Sequence, residues 1–151
     1  MALTSFPAIC HECGAEIGQR IKDMGKTIIS SDKVAKVPGA PYSACTKAGN
    51  LVFVSGMVAL NAKAEIVGRG DIRAQTHQVL ENVKAVIEAA GAKMSDITKT
   101  TVYITDLANF AAMNEVYKSY FTSDPPARAT VKADLVNKDF LVEIDAFAVI
   151  G

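Results

Sequence analysis

The chain carries no excess charge of either sign: sixteen basic side chains balance sixteen acidic ones. With no net charge there is no long-range field to gather phosphate backbones or an anionic membrane, so a small-molecule partner is expected rather than nucleic acid or lipid. Long apolar runs are missing too. Stretches such as residues 51–54 and 58–60 fall far short of the roughly 20 residues a membrane-spanning helix needs, and a soluble protein is expected. Cysteine is scarce. Cys10, Cys13 and Cys45 cannot all pair within one chain, and no basic start, apolar run and small-residue cleavage site precede them. A reducing, cytoplasmic setting is the expectation.

The common catalytic motifs are also missing. There is no G-x-S-x-G elbow, no phosphate-binding glycine loop and no H-E-x-x-H, and the chain has two histidines, His11 and His77. His77 falls within a helical pattern and reads as an exposed helix residue rather than a base. The segment Cys10-His11-Glu12-Cys13 offers two thiolates and an imidazole, but a structural zinc site takes four ligands and no second knuckle follows, so no metal is expected.

What is present fits one compact domain: 151 residues, half of them hydrophobic. Residues 1–25 read as an N-terminal extension of unknown role, with Met24 offering an alternative start, and residues 26–151 as the domain. A strand-like run at Thr27-Ile28-Ile29-Ser30 leads to the Pro38-Gly39-Ala40-Pro41 loop, from which Tyr42 emerges. Residues 51–56 read as a buried strand ending at Gly56. Ile72, Val79, Val83, Val86 and Ile87 then recur at helical spacing, with Asp71 to cap the start and Gly91 to close the end. Residues 97–105 alternate as a second central strand. Phe110, Met113, Val116, Tyr117 and Tyr120 mark a second amphipathic helix, which Pro125-Pro126 terminates. Two further strands are predicted at 129–135 and 141–149, joined by a turn at Asn137. The class is α+β, with both helices on one sheet face.

Two helices cover one face of a sheet, yet Val142, Ile144, Ala146 and Ala148 alternate with Phe147 and Val149, so apolar side chains lie on both faces. Self-association is the economical cover for the second face, and a ring of subunits would place clefts between them.

Two residues stand out chemically. Arg128 follows Pro125-Pro126-Ala127 and opens a strand, which places a rigid guanidinium fork suited to a carboxylate at a sheet end. A structural ion pair with Asp145 or Asp134 is the alternative, and the residues alone leave both open. Glu143 sits in the middle of an apolar strand, where an ionised carboxylate is costly unless paired or exposed. If the two strands are antiparallel neighbours, both side chains reach the same end of a cleft.

Several spaced blocks occur in one order. They are Pro41-Tyr42-Ser43, Gly49-Asn50-Leu51-Val52-Phe53-Val54-Ser55-Gly56, Gly70-Asp71-Ile72-Arg73-Ala74-Gln75-Thr76, Leu80-Glu81-Asn82-Val83, Asn114-Glu115-Val116-Tyr117, Pro126-Ala127-Arg128 and Val142-Glu143-Ile144-Asp145-Ala146. Together they resemble the reactive-intermediate deaminase family, also called RidA or YjgF, from about Lys26 to the C-terminus. The resemblance implies a chorismate-mutase-like α+β subunit, with a mixed sheet and two helices on one face, assembling as a homotrimer with clefts between subunits. It implies hydrolysis of reactive 2-imino and enamine acids, of the 2-aminoacrylate or 2-aminocrotonate type released by pyridoxal-phosphate-dependent dehydratases, to 2-oxo acids and ammonia, without cofactor or metal. In that family Arg128 would hold the substrate carboxylate, Glu143 would activate water and shuttle a proton, and Tyr42, Gly56, Asn114 and Thr130 would line the cleft. Bland roles stand beside these: Tyr42 packing, Asn114 fixing a helix end, Gly56 permitting a turn. The chain departs from the family pattern at Ala44 and Met57, where many members have glutamine, at Thr130, where many have cysteine or serine, and at Asp134. Two alternatives follow: a non-catalytic oxo-acid-binding or chaperone-like trimer, and deamination of a larger enamine such as 2-aminomuconate. The ribonuclease label of some relatives fits poorly with balanced charge and no basic stripe.

Overall fold

The computed structural model describes residues 25–151. The Cys10–Cys13 segment, Met24 and nearly all of the N-terminal extension lie outside the described residues. Six strands and two helices follow in order: β1 (Lys26–Ile29), β2 (Cys45–Ala48), β3 (Leu51–Met57), α1 (Ile72–Ala89), β4 (Ile97–Ile104), α2 (Phe110–Tyr120), β5 (Ala127–Lys132) and β6 (Val142–Val149). They form one mixed sheet in the order β1-β2-β3-β6-β4-β5, in which β4 and β5 run parallel and every other pair antiparallel.

Local chemistry sets most of these boundaries. Ala48 faces Leu51 across a two-residue turn whose first residue, Gly49, has φ +59°, a backbone conformation that glycine adopts without strain. The Asp71 side chain accepts from the Arg73 and Ala74 amides at 2.9 and 3.2 Å and so caps α1. At the other end Gly91 takes φ +83°, and its amide and that of Ala92 bond back to the Glu88 and Ile87 carbonyls, which satisfies the last turn.

Both helices lie on the same face. Val142, Ile144, Ala146 and Ala148 of β6, with Val52, Val54, Val102 and Ile104 of its neighbours, are buried under Val79, Leu80, Val83 and Val86 of α1 and Met113 and Tyr117 of α2. The opposite face keeps Leu51, Phe53, Val131, Phe147 and Val149 exposed by 38% or more, with the Phe53 and Phe147 rings in edge contact. The apolar face predicted from the alternation of β6 is therefore left uncovered by the described residues.

Two buried amides pin the loops to α1. Gln75 donates to the carbonyls of Gly68 and Asp139 and accepts from the Leu141 amide, so it fixes the approach to β6. Asn82 donates to the carbonyls of Val58 and Leu60 and fixes the exit from β3.

The structure corrects three expectations. Cys45–Ala48 is a strand that pattern reading passed over. β5 spans Ala127–Lys132 rather than 129–135, and β6 begins at Val142. Most consequentially, β5 and β6 are not neighbours, because β4 inserts between them and pairs with both.

Candidate functional site

Register and face decide where the two candidate side chains go. Thr100 of β4 is level with Arg128 of β5 and Ala146 of β6, whereas Tyr103 is level with Val131 and Glu143. Arg128 and Glu143 thus stand two strands apart and three residues offset, roughly 14 Å between Cα atoms. Their faces differ as well. Residues directly opposite in a ladder point to the same side, so Arg128 shares the helix-covered face with buried Thr100 and Ala146, while Glu143 shares the open face with Tyr103. One chain does not bring the pair together.

On the helix face, the Arg128 guanidinium lies over the ring of Tyr117, 4.6 Å from its centroid, and near that of Phe110 at 5.9 Å. Tyr117 is itself fixed by a 2.7 Å hydrogen bond between its hydroxyl and that of Thr100. Burial pushes the Tyr117 phenol above its ordinary pKa, so the ring remains neutral beneath the cation. Asn114 is four residues after Phe110 and three before Tyr117, which places it on the stripe that meets Arg128. Thr130 is two residues beyond Arg128 on the same strand face, and its Oγ1 is buried with no hydrogen-bond partner among the described residues. No carboxylate of the described residues lies within ion-pair distance of Arg128; the acids engaged in ion pairs are Asp32, Glu115 and Asp139. The structural ion pair with Asp145 or Asp134 does not form. A half-buried cation with its fork free, beside an orphaned hydroxyl, has the chemistry of a carboxylate seat.

On the open face, Glu143 lies across Gly56 so closely that a Cβ built on that glycine would overlap the carboxyl. Glycine is required here for close approach rather than for a positive φ. The Glu143 carboxyl titrates above its ordinary value of 4.5, first because burial disfavours its charge and then because Asp145, two residues along the same face, repels it. Asp145 is held by the Thr101 amide at 3.1 Å and the Tyr103 hydroxyl at 3.0 Å, both on the neighbouring strand β4. The Tyr103 phenol is raised, chiefly by that hydrogen bond. Tyr42, 61% exposed, stands at the rim of a cavity that also includes Gly56.

The predicted residues thus divide into two groups, Arg128, Asn114 and Thr130 on one face and Glu143 and Gly56 on the other, with Tyr42 at the cavity rim beside Gly56. Sequence reasoning missed Tyr117 and Phe110 as the bed for Arg128, and Tyr103 and Asp145 as the setting of Glu143. Helical spacing of the two aromatics relative to Asn114 was a signal for the first pair; the second depends on cross-strand register. His77 is an exposed residue of α1, its ring edge-on to Tyr120. Among the described residues no three His, Cys, Asp or Glu side chains converge as a metal ligand set.

Fold and site define a class: small α+β proteins with one mixed sheet, two helices on one face and polar clusters on both. The family model described as endoribonuclease L-PSP matches residues 33–150. A RutC family protein of Pyrococcus abyssi is 44% identical over 83% of this chain and 98% of its own length. Among solved structures, TdcF of E. coli with bound serine is 39% identical, with a TM-score of 0.76 over 83% of this chain and 99% of that one. YyfA of Yersinia pestis, described as a protein of unknown function of the conserved Rid family, is 34% identical with a TM-score of 0.78, covering 83% and 100% of the two chains. The chain belongs to this endoribonuclease L-PSP family, also called the YjgF or RidA family.

Proposed function

We propose that the protein is a cytoplasmic hydrolase that deaminates reactive 2-imino and enamine acids to 2-oxo acids and ammonia, acting as a homotrimer. In each cleft Arg128 of one subunit, with Asn114 and Thr130, seats the substrate carboxylate. Glu143 of the partner subunit works from the other wall, with Gly56 and Tyr42 beside it. The Glu143 carboxyl delivers a proton to the imine nitrogen, water adds to the electrophilic carbon and gives one proton to the carboxylate, which passes it on to the amino group; the C–N bond then breaks as ammonia leaves, and the remaining hydroxyl proton returns to the carboxylate as the carbonyl forms. No nucleophile stronger than water is needed, because a protonated imine is already electrophilic.

The observation that carries this reading is Arg128: a cation stacked on Tyr117 which, among the described residues, no carboxylate neutralises, close to a Thr130 hydroxyl that has no partner among them. The raised proton affinity of Glu143 supports the other half, since an acid that keeps its proton above the usual carboxylate range transfers it more readily at working pH. That TdcF of E. coli was solved with bound serine supports a site accepting an amino- or imino-acid carboxylate. The placement of Arg128 and Glu143 on opposite faces, with an apolar face that the described residues leave uncovered, favours clefts formed between copies. The balance of sixteen basic and sixteen acidic residues gives no support to ribonuclease chemistry.

The test is a coupled assay in which a pyridoxal-phosphate-dependent dehydratase releases the imine from serine or threonine. Wild-type protein accelerates oxo-acid formation, and Arg128→Ala lowers kcat/KM by about 100-fold, the loss of a bidentate charge-assisted pair. Equal activity of wild type and Arg128→Ala would refute the assignment.

A further inference from the structure

A cavity of about 210 Å³ shares Tyr42 and Gly56 with the site described above, and its chemistry narrows the substrate class. It lies where the end of β3 meets β1 and the loop of residues 30–44. Ile28, Val34, Val37, Ala44, Met57 and Leu60 make up much of its wall. Gly56 belongs to the same wall and also lies against the Glu143 carboxyl, so the cavity and the carboxyl meet at one residue.

Most polar groups on that wall are already engaged. Ser55 Oγ donates to the Ser43 carbonyl at 2.8 Å. The Asn82 amide donates to the carbonyls of Val58 and Leu60 at 3.0 and 2.8 Å, and its Oδ1 accepts from Gln78 at 2.9 Å. Ser31 Oγ accepts from the Lys33 amide, and Lys36 is paired with Asp32 at 2.6 Å. A carboxylate entering the cavity would meet Lys36 alone as a cation on that wall, and that ammonium is exposed and already paired with Asp32, whereas an alkyl or thioether group gains from leaving water. A methyl group would occupy only a small part of the space.

We propose that this cavity receives the substrate side chain and that the preferred substrates are 2-imino acids with bulky apolar side chains, such as those derived from leucine or methionine, rather than 2-iminopropanoate or imino acids with a second carboxylate. The inference rests on the deaminase reading and specifies its substrate. Ala44 and Met57, where many members of the family have glutamine, extend the apolar wall. A larger enamine with a charged distal end, of the 2-aminomuconate kind, is excluded by the same wall.

Imines generated by an L-amino acid oxidase from alanine, leucine, methionine and glutamate test the order directly, with trapping by semicarbazide as the readout. The expected kcat/KM for the leucine- and methionine-derived imines is at least about 10-fold above the alanine-derived one, with the glutamate-derived imine no better than the alanine-derived one. Ala44→Leu, which fills the cavity, and Val37→Asp, at an exposed loop position, should each lower the leucine-to-alanine ratio by about 10-fold. Calorimetry with the corresponding 2-oxo acids should give the same order of affinities. A leucine-to-alanine ratio near one, or a ratio unchanged in both variants, would overturn the inference while leaving the deaminase reading intact. Failure to accelerate any imine would overturn the deaminase reading, and the order of 2-oxo acid affinities would then decide the cavity by itself.

Discussion

Arg128 and Glu143 belong to one sheet, yet their surroundings differ in kind. The guanidinium rests on the face of Tyr117, whose own hydroxyl is tied to Thr100, so aromatic rings fix the cation and leave its donors free. The carboxyl is treated in the opposite way: burial and the neighbouring Asp145 charge both disfavour its ionised form, and Gly56 allows it to lie flat on the backbone. One region suits a permanent anion and the other suits a proton that comes and goes. Within one chain each setting has its own neighbours, Tyr117 and Thr100 for the guanidinium and Gly56 and Asp145 for the carboxyl.

That contrast can be broken on the Glu143 side first. Gly56→Ala places a Cβ inside the carboxyl, so the carboxyl must move by an ångström or more. Displacement on that scale lowers kcat by about 100-fold, while the Arg128 region keeps its affinity for 2-oxo acids in calorimetry. Loss of 2-oxo acid affinity in step with kcat would mean that the two regions are not separable.

A finer probe is Asp145→Asn, which removes the repulsion and leaves the amide acceptor for Thr101. Burial remains, so the Glu143 carboxyl titrates lower than in wild type but not fully back to 4.5. The limb of the rate profile that reports loss of the proton from Glu143 then moves to lower pH. The sign for stability follows from linkage. A raised folded-state value means that the folded protein binds this proton more tightly than the unfolded chain, so the contribution is fully present below about 4.5 and is lost as pH rises through the folded value. Asp145→Asn should therefore flatten that decline in a urea-denaturation series across pH. An unshifted rate limb would assign the proton transfer to another group.

The helices, their caps and the alternation of β6 were legible because each depends on residues close in sequence: Asp71 and Gly91 bracket a five-turn apolar stripe, and β6 alternates over its whole length. β2 escaped because Cys45-Thr46-Lys47-Ala48 is short and of middling strand propensity, and its pairing partners supply the order. The insertion of β4 between β5 and β6 is a non-local pairing that no local pattern encodes, and it is this pairing that sends Arg128 and Glu143 to opposite faces. Both residues were identifiable as chemical oddities of their strands. Their separation was not. Gly56 shows the same limit: a glycine ending a strand reads as a turn, and only the cross-strand neighbour reveals that it makes room for a carboxyl.

The split between faces makes a direct demand on assembly. Arg128→Ala and Glu143→Gln should each be nearly inactive alone, the second by about 10²–10⁴-fold in kcat as the proton-transfer group is lost. When the two variants are unfolded together, refolded as mixed trimers and assayed with a dehydratase-generated imine, about one quarter of the clefts carry both native residues, and about one quarter of wild-type activity returns. A mixture as inactive as its components would contradict the account, because it would mean that both residues must come from the same chain.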